Sequence, residues 1–222
     1  MKVELNDVWL RRSGRIVLRG IDWCIRPGER WVVLGTNGAG KTQLLKLVAG
    51  AIWPSPRKST RRLYTWRGET HDEPRDVSDE IAYVGAERQD RYEHYEWNLR
   101  VAQVVGTGLY RTDIPLHRLT EANRMRITRL LRLLDIASLE KRRFLTLSYG
   151  QRRMVLLARA LAANPALMLL DEPLNGLDPE RRERLLRLFA RRNVLPSSWV
   201  LSTHRSEDIP ADATHLLRLD RA

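Results

Sequence analysis

The segment Gly35-Thr36-Asn37-Gly38-Ala39-Gly40-Lys41-Thr42 fits the pattern G-x-x-x-x-G-K-[ST], and its flanks constrain the fold as much as the pattern does. The apolar run Trp31-Val32-Val33-Leu34 before it predicts a buried strand. Gln43 to Gly50 after it predicts a helix closed by a glycine cap. Strand, glycine-rich turn and helix in that order make an anion cradle. Glycines let the backbone wrap closely, successive N–H groups point inward, and the positive end of the helix lies beneath them. Lys41 is spaced to reach the outer phosphates of a nucleoside triphosphate and Thr42 to hold Mg²⁺.

A chain of 222 residues, 43% of them hydrophobic, has the material for one substantial core, so a single domain with an embellishment is expected. No apolar run approaches the ~18 residues of a membrane span. Met1 to Asp7 lacks the apolar centre of a secretory signal. The lone Cys24 forbids an internal disulfide and suits a reducing cytosol. The formal charge of +12 comes from 39 basic residues, of which only five are Lys. The arginines fall in scattered pairs: Arg61-Arg62, Arg142-Arg143, Arg152-Arg153, Arg181-Arg182 and Arg191-Arg192. Solvated helix faces, an anionic membrane surface or nucleic acid all accommodate that distribution. Pro179 to Asn193 illustrates the first, with Leu185, Leu186, Leu188 and Phe189 on one face and arginines on the other.

A second element of phosphate chemistry lies far downstream. Ala166 to Pro173 is a short apolar run ending in Asp171-Glu172, as expected for a strand inside a parallel sheet. Carboxylates at the carboxyl edge of such a strand face the ligand crevice. Asp171 is suited to hold Mg²⁺ through water and Glu172 to accept a proton from an attacking water. Between the two elements, Leu147-Ser148-Tyr149-Gly150-Gln151 precedes a helical run from Arg152 to Ala163. Ser148 reads either as a plain helix cap or, with the Gly150 amide, as another anion site at a helix N-terminus.

Taken together these motifs resemble the nucleotide-binding domain of ATP-binding-cassette (ABC) ATPases, over nearly the whole chain. They stand in the family's order: the phosphate loop at 35–42, the signature-like segment at 147–151 and the acidic strand at 167–172. Asn175-Gly176-Leu177-Asp178 is similar to the D-loop, and Val200-Leu201-Ser202-Thr203-His204 ends in a residue that resembles the switch histidine. The resemblance implies an α/β fold with a P-loop core: a mostly parallel sheet, an antiparallel β region near the N-terminus and a helical subdomain inserted at roughly 87–150. The sequence agrees in reading strands at Ile16–Ile25, Arg62–Trp66, Ile81–Val84 and Thr214–Leu219. It also gives an amphipathic helix at Leu119–Leu134, through Met125, Ile127, Leu130, Leu131 and Leu134.

The resemblance further implies an ATPase using ATP and Mg²⁺. Lys41 and His204 would stabilise the γ-phosphate, Thr42 and Asp171 serve the metal, and Glu172 polarise water. Two domains, identical or different, would pair head to tail. Ser148 and Gly150 would then seal the partner's nucleotide, with Asp178 coupling the protomers. Two positions depart from the pattern. The family's aromatic ring under adenine falls here at Arg12, whose guanidinium can stack on a base, while Trp9, the nearest aromatic, also reads as strand core. The Q-loop glutamine, a catalytic and metal-binding residue in the family, does not follow the strand directly: either Gln89 supplies it after a longer turn, or the site lacks that ligand and Gln89 is a solvated loop amide. Both features resemble a subgroup that includes tandem molybdenum-related ATP-binding proteins, and Tyr149 separately replaces the signature's usual glycine. The segment Gln89 to Trp97 reads as an aromatic-rich loop, either a docking surface or a small satellite core. The expected role is the ATPase subunit of a membrane transporter, peripheral at the cytoplasmic face and partnered by transmembrane subunits. The alternative is a soluble ATP-driven switch, for example one acting on nucleic acid.

Overall fold

The computed structural model describes residues 1–191 and 194–221, and its chain divides into two compact units. The first takes residues 1–83, 166–172 and those described in 186–221. In chain order it contains β1 (Lys2–Arg12), β2 (Arg15–Ile25), β3 (Arg30–Leu34), α1 (Lys41–Val48), β4 (Arg61–Trp66), β5 (Glu69–His71), β6 (Ile81–Val84, whose last residue opens the second unit), β7 (Leu167–Asp171), β8 (Trp199–Thr203) and β9 (His215–Arg218).

Two sheets result. The antiparallel one has the order β2-β1-β4-β5. Its hairpin turns at Ser13-Gly14, both with positive φ (47° and 77°), the backbone a two-residue turn needs to match strand twist. In β1 the buried residues run Val3, Leu5, then Val8, Leu10, so the parity changes midway. A register shift between Leu5 and Val8, with Asp7 at φ 44°, inserts the extra residue that keeps both pairs on the core face. That interruption hides β1 from a search for strict alternation.

The second sheet has the order β6-β7-β8-β3-β9, and β3 runs parallel to both β8 and β9, as β7 does to β8. Its register brings Leu34 opposite Thr203 and Asp171 opposite Ser202, so three strands end at one edge. Leu44, Leu45, Leu47 and Val48 of α1 are buried in one core with Leu167, Leu169 and Val200 of this sheet and Leu5, Leu10 and Ile25 of the other. The far end of α1 is closed from β4. Arg62, itself buried, donates to the carbonyls of Leu47 (3.0 Å) and Ile52 (2.8 Å), and the Tyr64 hydroxyl donates to that of Val48 (3.0 Å).

The second unit, Val84–Pro165 with Pro173–Leu185, is helical. It contains α2 (Ala86–His94), α3 (Val101–Leu109), α4 (Glu121–Leu133), α5 (Tyr149–Ala162) and the start of α6 (Pro179–Phe189). α3 approaches α5 so closely at Gly108 that a Cβ there would lie 2.0 Å from the Arg159 carbonyl oxygen. The stretch from Gln89, expected to be a loop, is helical through His94. Ala86-Glu87-Arg88-Gln89 are good helix formers, and Gly85 starts the turn. Its aromatics form a satellite core: Tyr92 is fully buried against Phe144 (4.8 Å) and Trp97 (5.6 Å), while Tyr95 stacks on Trp97 from outside.

The expected helix at 119–134 starts later, after the Thr120 cap, whose hydroxyl accepts from the Asn123 amide. It buries Ile127 and Leu131 but leaves Met125 64% exposed. α6 ends at Phe189; the expected extension reached Arg192 and Asn193, which lie outside the described residues. No described helix is long and apolar enough to cross a membrane.

Candidate active site

The loop after β3 is shaped by its glycines. Gly38 and Gly40 have φ of 83° and 98°, and a Cβ on Gly40 would come within 2.9 Å of Leu18. A Cβ on Gly35 would lie 2.4 Å from the Leu219 carbonyl oxygen, so β9 and the loop fit together only without a side chain. Lys41, 4% exposed, curls back over the loop, donating to the carbonyls of Gly35 (2.9 Å) and Thr36 (3.1 Å). Its ammonium also pairs with Glu172 Oε1 at 3.2 Å.

The two adjacent acids have separate partners. Asp171 ends β7 with its side chain facing α1, where Oδ2 accepts from the Thr42 hydroxyl at 2.8 Å and from the Tyr83 hydroxyl at 3.0 Å. Its Oδ1 accepts from Ser202 Oγ at 2.6 Å. Glu172 leaves the strand in left-handed backbone (φ 46°), uncommon for a residue with a side chain. Its amide donates to the same Ser202 oxygen at 3.1 Å, and its Oε1 lies between Lys41 and His204 Nδ1, 3.7 Å from the latter. The turn carrying His204 is held by Thr203, whose hydroxyl donates to Asp208 (2.9 Å) and accepts from the Arg205 amide (3.1 Å).

Of the residues singled out from the sequence, the first unit thus joins the whole loop from Gly35 to Thr42 with Asp171, Glu172 and His204. Arg12 is exposed at the end of β1, paired across the hairpin with Arg15, and the same hairpin touches the loop through Val17 and Leu18. Trp9 is not strand core. It lies on the outer side of β1, with the Arg57 guanidinium 4.2 Å from its ring centroid.

Ser148, Gly150 and Asp178 belong to the second unit. Ser148 caps α5 in a reciprocal box with Gln151: its Oγ accepts from the Gln151 amide (3.3 Å) and its own amide donates to Gln151 Oε1 (3.0 Å). Gly150 packs under Leu177 and the Gly176 carbonyl, and the Tyr149 ring lies on Gly176. Asp178 accepts from the Arg181 amide at 2.9 Å, which holds its carboxyl below the usual range. Gln89 is buried in α2 at 1% exposure; its Nε2 meets Glu93 at 3.4 Å, and its Oε1 has no hydrogen-bond partner among the described residues.

Nothing in the sequence singles out Tyr83 or Ser202 as partners of the acids. A Tyr in an apolar strand reads as core, and Ser202 matters only through its register opposite Asp171.

Thr42 and Asp171 offer hard oxygens to a cation, and no group of three or more His, Cys, Asp or Glu able to hold a metal occurs among the described residues. A hydroxyl and a carboxylate oxygen are the kind of protein ligand that Mg²⁺ takes, the rest of its shell coming from water and substrate phosphates.

Comparison with known proteins identifies the family and the fold. The family described as ABC transporter matches residues 18–175. The uncharacterized ABC transporter ATP-binding protein YmeB of Lactococcus lactis is 32% identical over 219 residues, covering 98% of this chain and 82% of the relative. The ABC transporter ATP-binding protein ModF of Escherichia coli is 33% identical over 224 residues, covering 97% of this chain but 44% of ModF. Among solved structures, a bacterial ABC transporter cassette in dimeric form superposes with a TM-score of 0.76 at 20% identity, covering 98% of this chain and 94% of the other. The same cassette in a post-hydrolysis dimer bound to ADP and Pi gives 0.77 at 20% identity, covering 99% and 96%. The chain belongs to the ABC transporter family, and relatives that match nearly its whole length are ATP-binding proteins of that family.

Proposed function

We propose that the cassette drives a membrane transporter from the cytoplasmic face, closing in pairs on ATP and separating after hydrolysis. The observation that carries this reading is the placement of Glu172 Oε1 between Lys41 and His204 while Asp171 is engaged with Thr42. The amides of the loop and the Lys41 ammonium bind the phosphates. Thr42 and Asp171 hold Mg²⁺, which supplies positive charge against the phosphate oxygens. Glu172 takes the proton of the attacking water, and His204 steadies the γ-phosphate.

The partner contribution is argued from the cap of α5. Ser148 Oγ uses a lone pair on the Gln151 amide and keeps its own proton to donate. That hydroxyl and the first amides of a 14-residue helix suit a γ-phosphate held by a second cassette, of the same or another chain. The dimeric form of a structural neighbour supports the pairing, and the family supports transmembrane subunits as partners.

Glu172→Gln tests the reading. It should bind ATP as the wild type does, accumulate as a dimer in size-exclusion chromatography and lose turnover by about 10²-fold or more, the low end for removing a proton acceptor. Wild-type turnover in that variant would remove Glu172 from its role. Isolation from detergent-solubilised membranes should recover a polytopic partner in stoichiometric amount; stimulation of the ATPase by DNA or RNA instead would favour the soluble switch.

A further inference from the structure

Asp171 accepts from the hydroxyls of Thr42, Tyr83 and Ser202, of which the sequence assigns only Thr42 to the metal. Ser202 pins Oδ1 at 2.6 Å from the neighbouring strand β8. Tyr83, on the other flanking strand β6, donates to Oδ2 at 3.0 Å, the oxygen that also accepts from Thr42 at 2.8 Å. A carboxylate fastened at both oxygens from both neighbouring strands cannot swing about its Cβ–Cγ bond. If the Thr42 oxygen binds a cation, it does so through a lone pair and keeps its proton, so its donation and that of Tyr83 both persist and together fix the direction of the carboxylate.

From this geometry we infer that Tyr83 is a positioning residue for the metal carboxylate, fixing the orientation in which Asp171 would meet nucleotide-bound Mg²⁺ or its waters. The inference rests on the assignment of Thr42 and Asp171 as the metal-binding pair. Mg²⁺ demands near-ideal octahedral geometry, so a ligand or water acceptor free to rotate costs it more than it would cost a larger cation. Loss of a hydrogen bond that orients a metal ligand typically weakens metal affinity or activity by about 10–100-fold.

The test is ADP binding by titration calorimetry, first in EDTA and then across a range of MgCl₂, with the full chain and its Tyr83→Phe variant. In EDTA the two should bind ADP alike, because the loop and Lys41 are untouched. With Mg²⁺ present, the concentration that half-restores tight ADP binding should rise about 10–100-fold in the variant. Turnover should return to within a few-fold of wild type at saturating Mg²⁺. Bound Mn²⁺ should show an altered electron paramagnetic resonance spectrum, which a purely structural role for Tyr83 would not produce. Tyr83→Met, similar in length and without a donor, should behave as the Phe variant does. Either variant taking up Mg²⁺ at wild-type concentrations would overturn the inference. A wild-type protein whose ADP affinity ignores Mg²⁺ would overturn the metal assignment and the role of Tyr83 with it. Asp171→Asn, which should lose the Mg²⁺ response altogether, tells the two failures apart.

Discussion

Asp171 and Glu172 are neighbours in the chain with different duties, and that separation comes from one residue of backbone. Asp171 keeps strand geometry and meets hydroxyls, whereas Glu172 turns through left-handed backbone toward Lys41 and His204. The identity of both acids is legible from an apolar strand ending in Asp-Glu. The Ser202 and Tyr83 hydroxyls that hold Asp171 are not, because they arrive through lateral strand pairing that no local pattern encodes. Arginine usage was equally opaque. The paired arginines resemble a solvated surface, yet Arg62 and Arg153 are buried, while Arg152 donates to the carbonyls of Leu145 and Leu147 and pairs with Glu93.

Asp113 shows what such arginines do in the second unit. It pairs with Arg88, with Arg91 at 2.9 Å and with Arg159 at 3.4 Å. Burial pushes the Asp113 carboxyl up, but the guanidiniums of Arg88, Arg159 and Arg91 outweigh it and hold the group below its usual range. Burial also lowers Arg159 to about 10, which leaves it charged at neutral pH. A carboxyl depressed on folding stabilises above its unfolded pKa, and that contribution is lost as pH falls through the folded value. Asp113→Asn should therefore lower the melting temperature at pH 7 and flatten its decline in acid. Solvent screening of a partly exposed group limits the loss to about 1 kcal/mol, or roughly 2–4 °C for a chain of this size. A melting curve unchanged at pH 7 would mean that the pairs are neutral in energy.

Among the elements, α1 is supported at both ends. Its first turn faces the loop, and its last carbonyls are met by Arg62 and Tyr64 from β4. A buried guanidinium facing the negative end of a helix is favourable, although desolvation pulls its pKa down. Arg62→Ala should leave the Leu47 and Ile52 carbonyls without this donor and cost about 1–3 kcal/mol, read as a lower denaturant midpoint at unchanged slope. No change in midpoint would show that water or Tyr64 satisfies them. The strands with plain alternation or continuous apolar runs were readable, as were the caps at Ser148 and Gly50. β1 was not, because its bulge breaks the period, and α2 was not, because aromatic residues suited to a surface loop turn out to hold a small core.

At the level of the molecule, the order of motifs along the chain identified the fold, while the extent of the helical unit did not follow from it. Residues 173–185 join that unit from beyond the acidic strand, a long-range choice made by packing and not by any boundary signal. The proposed pairing gives a prediction at this scale. Ser148→Arg keeps the first unit's loop intact, so each protomer should bind ATP with wild-type affinity. Its hydrolysis should fall by at least about 10²-fold, the usual cost of losing one donor that stabilises the transition state. Full activity in that variant would mean that one chain carries a complete site.

The shared edge of β3, β8 and β7 has a last consequence. Leu34, Thr203 and Asp171 come from sequence positions far apart and meet only through the register of that sheet. The phosphate site therefore exists only in a chain whose sheet is paired in that register. ATP binding is linked to that pairing by mass action: at 100 times its dissociation constant ATP should add about 2.7 kcal/mol to the stability of the folded chain and leave isolated fragments indifferent.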